Sequence, residues 1–135
     1  PLRDATNLPR PLTPGGPPIW LGGQRPRGFR IAARLADGWI LPAGPEEGLV
    51  QFRERREAIL SEMDALGRDP ATFTFAGQLP TGTTAAERRA ALDSALELVR
   101  AGAGHVILGM PARLGPAGLL AVAREVAEPL RAALG

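Results

Sequence analysis

Cysteine, lysine and tyrosine are absent from the 135-residue sequence, and histidine occurs once. Without cysteine there is no disulfide framework, no thiolate nucleophile and no zinc ribbon, and one histidine cannot supply a multi-histidine metal cluster. The other residues offer no close acid–base pair, Ser-His-Asp set or metal-ligand spacing, so no catalytic or metal-ligating residue is assigned. The missing lysines and tyrosines also govern the charge. All 16 basic residues are arginine, set against 14 acids for a net charge of +2, so almost nothing titrates between neutrality and the arginine pKa. The sequence pI near 10.8 therefore reflects composition and not a basic surface. Arginines and acids interleave, as in Phe52-Arg53-Glu54-Arg55-Arg56-Glu57, which reads as a solvated helix face laced with ion pairs and argues against a nucleic-acid partner. Long apolar runs are lacking too. None reaches the roughly 18 residues of a membrane span, and the N-terminus shows no basic segment followed by an apolar run. A cytoplasmic protein with no membrane partner is the expectation.

What is present is an ordinary globular composition, 44% apolar and 22% charged. A chain of this length is expected to bury roughly two thirds of the surface it exposes when unfolded. Residues 1–18 carry six prolines and the pair Gly15-Gly16, which forbids a long helix and predicts a lead-in loop. The remainder, residues 19–135, repeats one unit. Ile19-Trp20-Leu21 is a short apolar strand closed by Gly22-Gly23, and Pro26 opens a helix whose apolar positions are Phe29, Ala32, Ala33 and Ala36, with Arg27, Arg30 and Arg34 opposite. Asp37-Gly38 stops it before the strand Trp39-Ile40-Leu41. Pro45-Glu46-Glu47 marks the next helix start, Leu49, Phe52, Ile59, Leu60, Met63 and Leu66 form its stripe, and Gly67 caps it. A third strand is predicted at Phe73-Thr74-Phe75-Ala76 with Gly77 at its end. Thr84 and Glu87 have capping-box spacing, and Leu92, Ala95, Leu96 and Val99 carry the following helix to Gly102 and Gly104. Val106-Ile107-Leu108 is the fourth strand, ending at Gly109. A last helix runs from Pro116 to Leu134 with Leu119, Val122, Ala123, Val126 and Leu130 on one side. Short, nearly all-apolar strands alternating with amphipathic helices predict an α/β fold with a parallel sheet, open or part of a closed barrel.

The stretch Trp20-Leu21-Gly22-Gly23-Gln24-Arg25-Pro26-Arg27-Gly28 carries the clearest chemistry. Two glycines between a strand and a helix start let backbone N–H groups approach an anion where the helix dipole is favourable, and Arg25 and Arg27 can pair with phosphate oxygens. The spacing matches neither of the common phosphate-loop patterns, and the same glycines also serve a plain tight turn. Elsewhere, Asp37 and Trp39 read as scaffold, the first capping locally and the second filling a barrel. His105, at the start of a strand, reads as structural. Gln78, just beyond the third strand, reads as a solvated loop residue that could also face a ligand; Thr81, Thr83 and the capping Thr84 follow on the same side, and in the loop of Met110, Pro111 and Arg113 after the fourth strand Arg113 could reach a substrate or phosphate.

The run Pro18 to Gly23, then Pro26-Arg27, then Ala32-Ala33-Arg34-Leu35-Ala36-Asp37-Gly38-Trp39-Ile40 resembles the C-terminal half of the luciferase-like monooxygenase family. Gly67-Arg68-Asp69-Pro70, Gly104 to Leu108, Glu125-Val126 and Pro129-Leu130-Arg131 resemble its later landmarks. The resemblance implies the last four units, (β/α)4, of a TIM-type (β/α)8 barrel. It implies a cofactor, reduced FMN for monooxygenation or the deazaflavin coenzyme F420 for hydride transfer. It assigns phosphate binding to Gly22 and Gly23 with the adjoining Gln24 and Arg25; many relatives have a small hydroxyl residue where Arg25 stands. The residues that hold the flavin ring and substrate belong to the first half of such a barrel. The partners implied are therefore the cofactor and either a separate N-terminal half barrel or a second copy. The alternative is a non-catalytic half-barrel module that assembles in the same way and binds a phosphate-bearing ligand. An open nucleotide-binding sheet lacks its fingerprint glycines here.

Overall fold

The computed structural model describes Leu8 and residues 11–42 and 48–134. Half of the lead-in and the Pro45-Glu46-Glu47 helix start lie outside the described residues. Residues 11–18 carry turns and bends without helix or strand. The chain then alternates: β1 (Trp20–Leu21), α1 (Pro26–Leu35), β2 (Gly38–Leu41), α2 (Leu49–Ala65), a 3-10 turn (Pro70–Thr72), β3 (Thr74–Pro80), α3 (Ala85–Arg100) and β4 (His105–Gly109). The terminal helix is built of α4 (Gly115–Val122), a π-helical turn (Ala123–Ala127) and α5 (Glu128–Leu134). Among the described residues no helix is long and apolar enough to cross a membrane.

The strands pair in parallel in the order β1-β2-β3-β4. Parallel neighbours require crossovers, and right-handed crossovers winding in one direction place successive helices on the same face of the sheet. The helices accordingly touch in chain order, α1 on α2, α2 on α3 and α3 on α5. A doubly wound sheet reverses its strand order at a switch point, and this one does not.

Side chains alternate between the two faces. Toward the helices point Leu21, Trp39, Leu41, Phe75, Leu79, Val106 and Leu108, all in or against the main core. They meet Phe29, Ala32 and Ala33 of α1, Phe52, Ile59 and Met63 of α2, and Ala91, Ala95 and Leu98 of α3. The opposite face carries Trp20, Gly38, Ile40, Thr74, Ala76 and Gln78. There a Cβ on Gly38 would lie 2.7 Å from the Thr74 carbonyl oxygen and 2.9 Å from the Trp20 indole, so glycine alone lets the indole lie flat across β2. The Trp20 ring continues to His105 on β4, edge-on at 5.2 Å between centroids.

The helix ends follow from local chemistry. Gly67 and Gly102 take the left-handed conformation, with φ of 64° and 100°, that closes α2 and α3. At the start of α3 the Thr84 hydroxyl accepts from the Glu87 N–H at 3.2 Å, while the Glu87 carboxylate accepts from the N–H groups of Thr83 and Thr84 at 2.7 and 2.8 Å. Those backbone donors, Thr83 first and then Thr84, hold the Glu87 carboxyl at about 2 in place of the ordinary 4.5. Because the folded value is the lower one, this stabilisation is complete above about pH 4.5 and drains away as pH falls toward about 2. Thermal unfolding of Glu87→Gln is expected to start from a lower midpoint at neutral pH, with the gap to wild type closing toward pH 2. A gap independent of pH would exclude the carboxylate as its source.

Several sequence expectations need correction. Strand β3 runs on to Pro80, so Gly77 lies inside it. A Cβ there would meet Leu98 Cδ1 at 2.7 Å, and the glycine serves the packing of α3 and not a strand stop. Gln78 is thus a strand residue. On α3 the buried set is Arg88, Ala91, Ala95 and Leu98, while Leu92, Leu96 and Val99 pack at its flank. Arg56 is only partly solvated: it pairs with Glu57 at 2.9 Å, as the ion-paired face predicts, but its guanidinium also lies over the Phe75 ring at 5.3 Å. The terminal helix is not uniform either. Pro129 has no N–H to donate to the carbonyl of Glu125, and the Glu128 N–H donates instead to the carbonyl of Ala123, five residues back. Leu119 is 47% exposed. The carboxylate of Glu125 in this turn grips the Arg88 guanidinium at 2.8 and 3.2 Å, and Arg88 also donates to the Thr83 carbonyl at 2.9 Å.

Candidate phosphate-binding loop

The loop between β1 and α1 sits at the C-terminal end of the first strand. In parallel α/β sheets that is the end where ligands bind. Pro26 occupies the first turn of α1, where its missing N–H costs nothing, and Arg25 is the extended N-cap with φ of −126°, making no side-chain cap bond. Neither Gly22 nor Gly23 has a positive φ among the described residues, so neither glycine is explained by turn conformation. Gly23 is explained by proximity: a Cβ on it would lie 2.9 Å from Gly28 Cα, and a Cβ on Gly28 would lie 3.0 Å from Gly23 Cα. The loop backbone therefore rests directly on the first turn of the helix. Gly22 is roomier, its nearest neighbour being the Ile40 carbonyl oxygen at 3.8 Å from a notional Cβ.

Two side chains take hold of the loop carbonyls. Gln24 Nε2 donates to the Gly22 carbonyl at 3.2 Å, and the Trp39 indole Nε1 donates to the Gly23 carbonyl at 2.8 Å. Among the described residues the N–H groups of Gly23 and Gln24 have no backbone acceptor. The loop thus keeps its two glycine carbonyls occupied and these two donors without a backbone acceptor, a polarity suited to an anion. Arg25 and Arg27 are exposed at its rim. The Gln24 Oε1 is buried without a partner, an acceptor suited to a hydroxyl group and not to a phosphate oxygen.

Trp39 corrects its sequence reading. It is fully buried, but it faces the helices and not the opposite face of the sheet, packing on Phe29 and Phe52 at 6.3 and 6.4 Å between ring centroids. Its grip on Gly23 was missed, although a buried indole N–H must find an acceptor somewhere. Asp37 does not cap locally: its carboxylate accepts from the Ile19 N–H at 2.7 Å, tying the start of β1 to β2.

The other candidates lie away from this loop. Thr81 is buried and its N–H donates to the Gly109 carbonyl at 2.9 Å, while Thr83 and Thr84 belong to the capping network of α3. A cleft of about 450 Å³ between α2 and α3 includes Gln78, Glu87 and Leu98 in its lining but none of Gly22, Gly23, Gln24 or Arg25. Met110 and Arg113 are exposed beyond β4. No cluster of metal-ligating side chains occurs among the described residues.

Residues 1–133 match the family profile described as luciferase-like monooxygenase. Among curated proteins none matches the chain significantly. Among solved structures, the coenzyme F420-dependent tetrahydromethanopterin reductase from Methanopyrus kandleri is similar, with a TM-score of 0.60 and 14% identity over 84% of this chain and 51% of that one. At that identity the likeness is one of fold. The chain spans about half the length of the reductase.

Proposed function

Because the chain belongs to the luciferase-like monooxygenase family, we propose that it is the C-terminal part of a flavin- or deazaflavin-dependent oxidoreductase and supplies part of its cofactor phosphate site. The observation that carries this reading is the loop from Gly22 to Arg25, whose Gly22 and Gly23 carbonyls are engaged from within the protein while the Gly23 and Gln24 N–H groups have no backbone acceptor among the described residues. The donor set fits the phosphate of FMN or of coenzyme F420. The N–H groups of Gly23 and Gln24 would bind it, with Arg25 and Arg27 adding charge at the rim. The orphaned Gln24 Oε1 suits a hydroxyl of the chain that links such a phosphate to the ring. When bound, reduced FMN supplies oxygen activation and the deazaflavin supplies hydride transfer. What these residues contribute is placement: a fixed phosphate fixes where the ring can lie.

Residues 19–135 then form a half barrel, (β/α)4. Three features support this: a strand order that never reverses, a sheet face opposite the helices, and a solved neighbour of about twice the length. The missing half, from a separate N-terminal chain segment or a second copy, would pair with the edges of β1 and β4.

Flavin fluorescence titration tests the site. FMN is expected to bind at least about tenfold more tightly than riboflavin, which differs only in lacking the phosphate, since one charge-assisted hydrogen bond contributes about 1.5–3 kcal/mol. Equal affinities would remove the phosphate site. Phosphate-dependent binding with no turnover after the N-terminal half is supplied would favour the non-catalytic module.

A further inference from the structure

We propose that Trp39 is a positioning residue for this loop: its indole N–H holds the Gly23–Gln24 peptide so that the Gln24 N–H faces the bound phosphate. The inference rests on the phosphate-site reading above and adds to it a residue that lies in the core and touches no ligand.

The argument starts from the planarity of the peptide group. In a trans peptide the carbonyl of one residue and the N–H of the next point in opposite directions. The Gly23 carbonyl is turned inward, 2.8 Å from Trp39 Nε1, so the Gln24 N–H of the same plane is turned outward. The indole cannot swing away from that carbonyl, since it is fully buried and wedged between Phe29 and Phe52. The glycine cannot retreat either, because Gly23 and Gly28 already touch backbone to backbone. Packing alone asks of this site only bulk and an apolar surface. Only tryptophan among the apolar aromatics brings a donor, and the donor is spent on a loop 16 residues away. The neighbouring plane is held in the same sense by Gln24 Nε2 on the Gly22 carbonyl.

The test uses inorganic phosphate and the ¹⁵N-labelled full chain. In the wild type, phosphate is expected to shift the Gln24 amide. It is also expected to move the Trp39 indole N–H downfield with the same concentration dependence, because an anion on the outer side of the peptide strengthens the hydrogen bond on its inner side. The Trp20 indole should stay still. Trp39→Phe is expected to bind phosphate about tenfold more weakly. Ile59→Val, which trims the same core and spares the indole and both rings against it, should keep its affinity within about twofold. Trp39→Phe with wild-type affinity overturns the inference while the phosphate site stands, as does an indole resonance unmoved at saturation. If phosphate perturbs none of the loop amides of the wild type, the phosphate site itself falls, and this inference with it. Should Trp39→Phe fail to fold, the wild-type indole shift decides.

Discussion

A chain carrying Gly23→Asp is expected to lose phosphate-dependent flavin binding altogether, a drop of at least about 100-fold set by two costs acting together. The first is steric. The new Cβ would sit 2.9 Å from Gly28 Cα, and the atom it meets is backbone in the first turn of α1, so the loop itself must move. The second is electrostatic, a carboxylate placed where a phosphate has to come, worth several kcal/mol against binding in a partly desolvated site. Gly22→Asp separates the two. Its Cβ has ordinary room at 3.8 Å from the Ile40 carbonyl oxygen, so this variant adds the charge with little steric penalty. FMN titration of both variants, with circular dichroism to establish that each is folded, is the measurement. Unchanged FMN affinity in folded Gly23→Asp would remove the loop from the cofactor site.

The largest stability loss is expected for Phe52→Ala. Phe52 is fully buried on α2 and packs against Trp39 at a tilt of 39°, and Trp39 in turn meets Phe29 of α1. Truncating it opens a cavity where two helices and the sheet meet. The expected cost is about 3–5 kcal/mol, roughly a fifth or more of the total stability of a typical domain. Urea unfolding should show the midpoint falling with little change in slope. A loss below about 1 kcal/mol would mean that the neighbouring side chains collapse into the space.

The class of fold was legible in the sequence because buried parallel strands are short apolar runs and the helices between them carry periodic stripes. Pro26, Gly67, Gly102 and the Thr84–Glu87 box each marked a helix end through chemistry confined to a few neighbouring residues. Where the reading failed, the cause was a contact distant in sequence. Gly77 looks like a terminator until Leu98 is seen to need its space, and Arg56 looks fully solvated until Phe75 is found to cover one side of it. The glycine pair was legible as a strand-to-helix loop, but the distinct jobs of its two members were not. Gly23 is fixed by Gly28 five positions on, and the orientation of its peptide is fixed by Trp39.

The π turn before Pro129 bears on the phase of the terminal helix. In a uniform α-helix, positions four apart drift by about 40° around the axis, so Val122, Val126 and Leu130 would fan out over about 80°. All three are nevertheless buried. One wide turn between them takes up the surplus residue and brings the spacing back into step with the surface it covers. The proline that breaks the ladder is thus what allows a four-residue apolar rhythm to lie along a single seam.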